Sequence, residues 1–152
     1  MNIRTEIIAH NSDAYREVVA LRYRIMREPL GLTFPPEMLA AESENTHLAV
    51  YVEDRLAGCL MLERQDVDTV KMRQVAVDTA LQGKGFGRIL VTFAEQVAHS
   101  QGYKNIRLMA RETAVPFYAR LGYTAVGEIF EEVTLPHQEM RKTLAPEAKS
   151  TE

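Results

Sequence analysis

Glycines and cations alternate in Gln82-Gly83-Lys84-Gly85-Phe86-Gly87-Arg88, and this stretch carries the strongest chemical signal in the chain. Glycine has no Cβ, so the backbone there can come close to a ligand. Unpaired N–H groups at the start of a helix, together with the helix dipole, favour an anion, typically a phosphate. Lys84 and Arg88 add positive charge at the same place. The neighbouring patterns supply the required elements. Val70-Lys71-Met72-Arg73-Gln74-Val75-Ala76-Val77 is rich in β-branched residues and reads as a strand. Ile89, Leu90, Phe93, Ala94, Val97 and Ala98 recur at helical spacing. A glycine loop therefore joins a strand to the N-terminus of a helix.

The spacing decides between phosphate binders. A P-loop needs G-x-x-x-x-G-K-[ST]. Here Gly85 follows Gly83-Lys84, and Asp78 stands where the first glycine should be. A dinucleotide fingerprint needs G-x-G-x-x-G/A. Counted from Gly83 its last position is Arg88, and from Gly85 it is Leu90. Both readings fail. Gln82, Gly85 and Gly87 do fit Q-x-x-G-x-G, which resembles the acyl-CoA loop of the GNAT superfamily of N-acetyltransferases. Two further stretches resemble that family. Ala114-Val115-Pro116-Phe117-Tyr118-Ala119-Arg120-Leu121-Gly122-Tyr123 is similar to its second signature, a tyrosine-bearing helix closed by Gly-aromatic. Val75-Ala76-Val77-Asp78 is similar to the strand carrying the thioester end of the cofactor. The resemblance runs from about Ala57 to Leu144. Arg22-Tyr23-Arg24 and Arg27 to Leu32 resemble the family's first helix and following loop only loosely.

The resemblance implies acetyl-CoA as co-substrate, bound at its pyrophosphate by Gln82, Gly83, Lys84, Gly85, Phe86, Gly87 and Arg88. It implies that the pantetheine amides pair with Val75, Ala76 and Val77 like an added strand, between two parallel strands that splay apart. It places the general acid on Tyr118, whose plain alternative is packing beside Phe117 and Leu121. The chain departs from the family at Arg111, where many members carry Asn seven residues before the tyrosine, so no role carries over to Arg111. The acceptor class is a primary amine of a small molecule or an exposed protein amino group, and a homodimer is compatible with the family. The rival reading is a non-catalytic acyl-CoA-binding module on the same fold.

Acetyl transfer to an amine sets its own demands. A thiol titrates near ~8.5, so an acid gives only modest help to a thiolate leaving group at neutral pH. A primary amine is largely protonated at pH 7, so a base must take a proton. Glu63 and His137 are the two candidates, acting directly or through water. For each the bland alternative stands: Glu63 as a solvated carboxylate, His137 as a structural hydrogen-bonding group. Glu128, Glu131 and Glu132 could attract a cationic amine, although Glu128 to His137 reads more simply as a solvated loop between two strands.

Composition narrows the class. The chain has 152 residues, 46% apolar and 26% charged, the profile of one soluble globular domain. No apolar run approaches the ~18 residues of a membrane span, and no secretory signal opens the chain, so no membrane association is expected. Net charge is −3, which does not suggest a nucleic-acid partner. A single cysteine, Cys59, suits a reducing cytoplasm, and its apolar strand context makes it a core residue. One cysteine and four histidines show no metal-ligand spacing.

The element order reads β-α-(α)-β-β-β-α-β-α-β-β. It begins with a strand suggested by Ile3, Ile7 and Ile8, then a helix capped by Ser12 or Asp13 and running to about Arg27. A hairpin turns at Glu53-Asp54-Arg55, a strand covers Ile106–Ala110, and a short helix covers Thr113–Leu121. Late strands are expected at Tyr123–Val126 and His137–Thr143. This is an α/β (α+β) fold. The resemblance implies a mixed, mostly antiparallel central sheet with helices on both faces. The whole is expected as a single domain over 1–144 with a disordered tail at 145–152.

Overall fold

The computed structural model describes residues 2–144, and the expected tail at 145–152 lies outside the described residues. Among the described residues seven strands follow the order β1-β2-β3-β4-β5-β7-β6, where β1 is Ile3–Ile8, β2 Thr46–Val52, β3 Arg55–Arg64, β4 Thr69–Val77, β5 Asn105–Arg111, β6 Thr124–Glu132 and β7 Leu135–Thr143. One registered pair, β4 with β5, is parallel; β1–β2, β2–β3, β5–β7 and β6–β7 are antiparallel. The fold is therefore mixed α/β with a mostly antiparallel sheet. The chain divides into two compact units, one from residues 2–63 and 74–94, the other from 64–73 and 95–144 of the described range.

In the first unit, β2 and β3 turn on Glu53 and Asp54, both left-handed at φ 49° and 66°. Two consecutive residues of positive φ match the right-handed twist of a two-residue hairpin. Helix α1 (Asp13–Arg22) starts where the Ser12 side chain accepts from the Tyr15 amide at 3.1 Å. Its stripe of Tyr15, Val18 and Leu21 packs with Ile8, Ala49, Tyr51, Cys59 and Ala76. The regular helix does not reach Arg27 as its periodicity predicts. At Tyr23–Arg27 it widens into a π turn, closed by an i→i+5 bond from the Glu28 amide to the Tyr23 carbonyl. A 3₁₀ turn at Glu28–Leu30 with Pro29 follows, and Gly31 ends it at φ 70°. The short helix α2 (Pro36–Ala40) follows the expected break.

In the second unit, β4 pairs with β5 from Thr69↔Asn105 to Met72↔Leu108. β5 pairs along its whole length with β7, ending at Arg111↔His137. Helix α4 (Val115–Arg120) has Pro116 in its first turn, where a missing N–H costs nothing, and Gly122 follows at φ 97°. The stretch Glu128 to His137 is not a loop. It forms the end of β6, a tight turn at Val133–Thr134 with φ 53° and 62°, and the start of β7. Every residue of β6 is exposed, so no buried face imposed the alternation that marks a strand. Its register with β7 shifts between Val126 and Phe130, where Gly127 has φ 73°. Gln138 secures the irregular turn by donating to the Val126 carbonyl at 2.8 Å and that of Gly127 at 3.0 Å. Among the described residues, no helix is long and apolar enough to cross a membrane.

Candidate active site

The glycine loop lies wholly in the first unit. Asp78 follows β4 and accepts from the Ala80 amide at 3.0 Å, which starts a 3₁₀ turn at Thr79–Leu81. Arg55 fixes the Asp78 carboxylate at 3.1 Å. The backbone hydrogen bond to Ala80 comes first among the causes that hold Asp78 below the usual carboxylate range, ahead of the burial that opposes it. Gln82 then turns back, and its carboxamide donates to the Val77 carbonyl at 3.0 Å. Gln82 thus ties the loop to the end of the strand.

Gly83 and Gly85 sit at φ 78° and 93°, a region L side chains rarely adopt. A Cβ at either position would meet no atom within 4 Å, so open space lies over both. Helix α3 (Phe86–Ser100) begins directly afterwards, with the Ile89 amide bonded to the Gly85 carbonyl at 3.1 Å. The amides of Phe86, Gly87 and Arg88 find no backbone acceptor among the described residues. Lys84 and Arg88 are both exposed along the same turn. Free amides, a helix N-terminus, two cations and unfilled space are what a pyrophosphate requires. The residues present therefore fit the phosphate portion of a coenzyme A.

The strand leading to the loop is braced from one side. Gly58 of β3 lies so close to β4 that a Cβ on it would stand 3.0 Å from the Ala76 carbonyl. The Asp78 amide donates to the Ala57 carbonyl at 2.8 Å. Val75 and Val77 are half-buried, while Ala76 is buried at 2% exposure. Just before them, Gln74 is left-handed at φ 58°. Glu63, near the end of β3, is half-buried in the same unit.

Tyr118, His137 and Arg111 belong to the second unit. The Tyr118 ring is buried beside Phe117 and Tyr123, with centroids 4.9 and 5.7 Å away. Burial alone pushes its phenol well above the usual value, so the hydroxyl keeps its proton through neutral pH. That hydroxyl has no hydrogen-bond partner among the described residues, and it is not among the atoms sealed from solvent. A protonated hydroxyl with its lone pairs and proton uncommitted is suited to donate. His137 is buried, and its Nδ1 lies 2.9 Å from the Leu135 carbonyl. A carbonyl can only accept, so Nδ1 carries the proton and Nε2 is the basic nitrogen. Arg111 is exposed at the end of β5, in register with His137. Among the described residues no group of His, Cys, Asp or Glu converges as a metal site.

One buried constellation has no counterpart among the sequence motifs. Arg22 and Glu42 form a fully buried ion pair, 1% and 3% exposed, in the first unit. The signal was present, since Arg22 lies on the apolar face of its helix, and a cation there requires a buried carboxylate.

A family model described as Acetyltransferase (GNAT) domain matches residues 32–144, starting well before the Ala57 at which the motif resemblance begins. The chain belongs to the GNAT acetyltransferase family. An uncharacterized N-acetyltransferase of Bacillus subtilis (strain 168), YjcF, is 26% identical over 137 residues, covering 90% of this chain and 97% of that protein. Among solved structures, a Lactobacillus plantarum chain assigned to the N-acetyltransferases is 26% identical with a TM-score of 0.83, covering 95% of this chain and 100% of that one. An aminoglycoside 6′-N-acetyltransferase complexed with coenzyme A shares the fold at TM-score 0.77 and 17% identity, covering 98% of this chain and 100% of that one.

Proposed function

We propose that the chain transfers the acetyl group of acetyl-CoA to a primary amine, on a small molecule or an exposed protein amino group, by direct attack of the amine on the thioester. The observation that carries this reading is the loop: two left-handed glycines under open space at the start of α3, with uncommitted amides behind them. Acetyl-CoA as co-substrate supplies the activated acyl group. The amides from Gly83 to Arg88 hold its pyrophosphate. The backbone of Val75 to Val77 pairs with the pantetheine arm and offers an N–H to the thioester oxygen as that oxygen gains charge. The Tyr118 hydroxyl gives its proton to the departing sulfur. Glu63, His137 or a water they hold takes the proton lost by the amine. The single cysteine favours a reducing cytoplasm as the working compartment.

The test is release of coenzyme A from acetyl-CoA in the presence of a panel of amines: polyamines, amino sugars, amino acids and peptides with free N-termini. Acceptor-dependent release with acetylated amine in stoichiometric yield is the expected result. Tight binding of coenzyme A with no release for any amine would replace this reading by an acyl-CoA-binding module on the same fold.

A further inference from the structure

Arg22 is the most tightly held cation described. Glu42 grips it with a two-bond fork, Nη1 to Oε1 at 2.8 Å and Nη2 to Oε2 at 2.7 Å. Tyr15 donates its hydroxyl to the same carboxylate at 2.7 Å. The Phe34 ring centroid lies 4.7 Å from the guanidinium carbon. His47 donates from Nε2 to the Glu42 carbonyl at 2.9 Å, so the residue that grips Arg22 is itself fixed. Such a pair stabilises a fold no better than well-packed apolar residues would, so stability does not explain it.

One nitrogen of the guanidinium remains, and it points to a purpose. Arg22 Nε donates to Gln74 Oε1 at 3.1 Å. Gln74 is the left-handed residue of β4, at φ 58°. A side chain other than glycine persists there only where its surroundings over-determine it. A left-handed residue inside a strand redirects the amides that follow, and such irregularities occur beside active sites. The residues that follow are Val75, Ala76 and Val77.

We propose that Arg22, immobilised by Glu42, is a positioning residue for acetyl transfer: through Gln74 it holds the left-handed turn in β4 that aims the amides of Val75 to Val77. This rests on the N-acetyltransferase reading above. Arg22 touches no reacting atom; it acts only through the strand.

Gln74→Ala removes the carboxamide while leaving the Arg22–Glu42 pair intact, and Gln74→Glu keeps an oxygen for Nε. Two readouts are needed. In Gln74→Ala, hydrogen exchange at the Val75 to Val77 amides should quicken at least about tenfold while exchange elsewhere in the first unit is unchanged. With an accepted amine, kcat should fall about 10- to 100-fold and KM for acetyl-CoA should move much less. Gln74→Glu should restore both. Arg22→Lys, which keeps charge but loses the fork, should behave like Gln74→Ala where it folds, and the Gln74 pair decides the matter where it does not. Unchanged exchange in Gln74→Ala overturns the proposal, whatever the enzyme does. Faster exchange with unchanged kcat overturns the catalytic part. If the wild-type protein turns over no amine while exchange still quickens, the parent reading fails and the clamp on the strand stands.

Discussion

Lys142 donates to the carbonyl of Leu121 at 2.8 Å, where the helix carrying Tyr118 ends. The same ammonium reaches both oxygens of Glu95 at 3.1 Å, and the Tyr123 hydroxyl donates to Glu95 at 2.8 Å. A cation at the C-terminal end of α4 thus satisfies a last-turn carbonyl and anchors the turn. Lys142→Met keeps the stem and removes the charge. Glu95 then loses one of its donors and the Leu121 carbonyl loses its own, so stability should drop by about 1–3 kcal/mol in urea unfolding. A drop under about 0.5 kcal/mol would show that water replaces the ammonium.

Tyr118→Phe deletes one hydroxyl from a ring whose packing should survive. The hydroxyl has no partner among the described residues, so the melting temperature should barely change. If Tyr118 is the general acid, kcat should fall by about 10² with a smaller change in KM for acetyl-CoA, the low end of the general-acid range because a thiolate leaves readily. Unchanged kcat under conditions where chemistry limits the rate returns Tyr118 to a packing role.

Gly85→Val forces a β-branched residue to φ 93° and places methyl groups in the open space over the loop. Calorimetry should show coenzyme A affinity reduced at least about tenfold, since both the backbone path and the room for a phosphate are lost. Equal affinity in folded mutant and wild type would take the loop out of the site.

Sequence legibility followed burial. The strand into the glycine loop and the helix after it were readable because each has one buried face that imposes a period. The first strand was read from its isoleucines alone, for only Ile8 of it is buried while Ile3 and Ile7 are exposed. β6 was not, because its residues are exposed along its whole length and a strand without a buried side leaves no alternation. The Val133–Thr134 turn uses two left-handed residues that are neither Gly nor Asn, so the usual turn signal was absent. Gln74 was opaque for the same reason: left-handed backbone announces itself in sequence through glycine. Tyr118, Glu63 and His137 were legible as residue types but not as partners. Neither the uncommitted Tyr118 hydroxyl nor the His137 tautomer set by the Leu135 carbonyl can be read from spacing.

Acid stability should follow His47 and Glu42. Burial holds His47 below its ordinary value, against the hydrogen bond to the Glu42 carbonyl. Its folded pKa is thus lower than the ~6.5 of the unfolded chain, so its contribution is intact above ~6.5 and fades as pH falls through the folded value. For Glu42, burial opposes ionisation, but the bonds from Arg22 and Tyr15 outweigh it and depress the carboxyl. Its contribution is intact above ~4.3 and is lost as pH falls below that. Urea midpoints should decline gently from about pH 6.5 and more steeply below about pH 4.3. His47→Gln keeps a donor for the carbonyl and should flatten the first limb only.

The acidic end of β6 offers a test of acceptor charge. Glu128, Glu131 and Glu132 are all exposed. If they draw in a cationic amine, changing the three together to Gln should lower kcat/KM for the amine at low ionic strength, and added salt should bring the wild type down to the same level. Equal kcat/KM at low salt would leave these glutamates as solvated surface.

Cys59 is the chain's one thiol, it has no exposed surface, and burial pushes its pKa up to about 12. It packs in the cluster that includes Ala76, the middle of the stretch proposed to pair with pantetheine. A disulfide-exchange reagent can reach it only when that cluster opens. Its labelling rate in native buffer is therefore a clock for breathing of the core beneath β4, read without altering a residue. Slower labelling on addition of coenzyme A would register ligand binding as a closed door, in a protein whose acceptor need not be known.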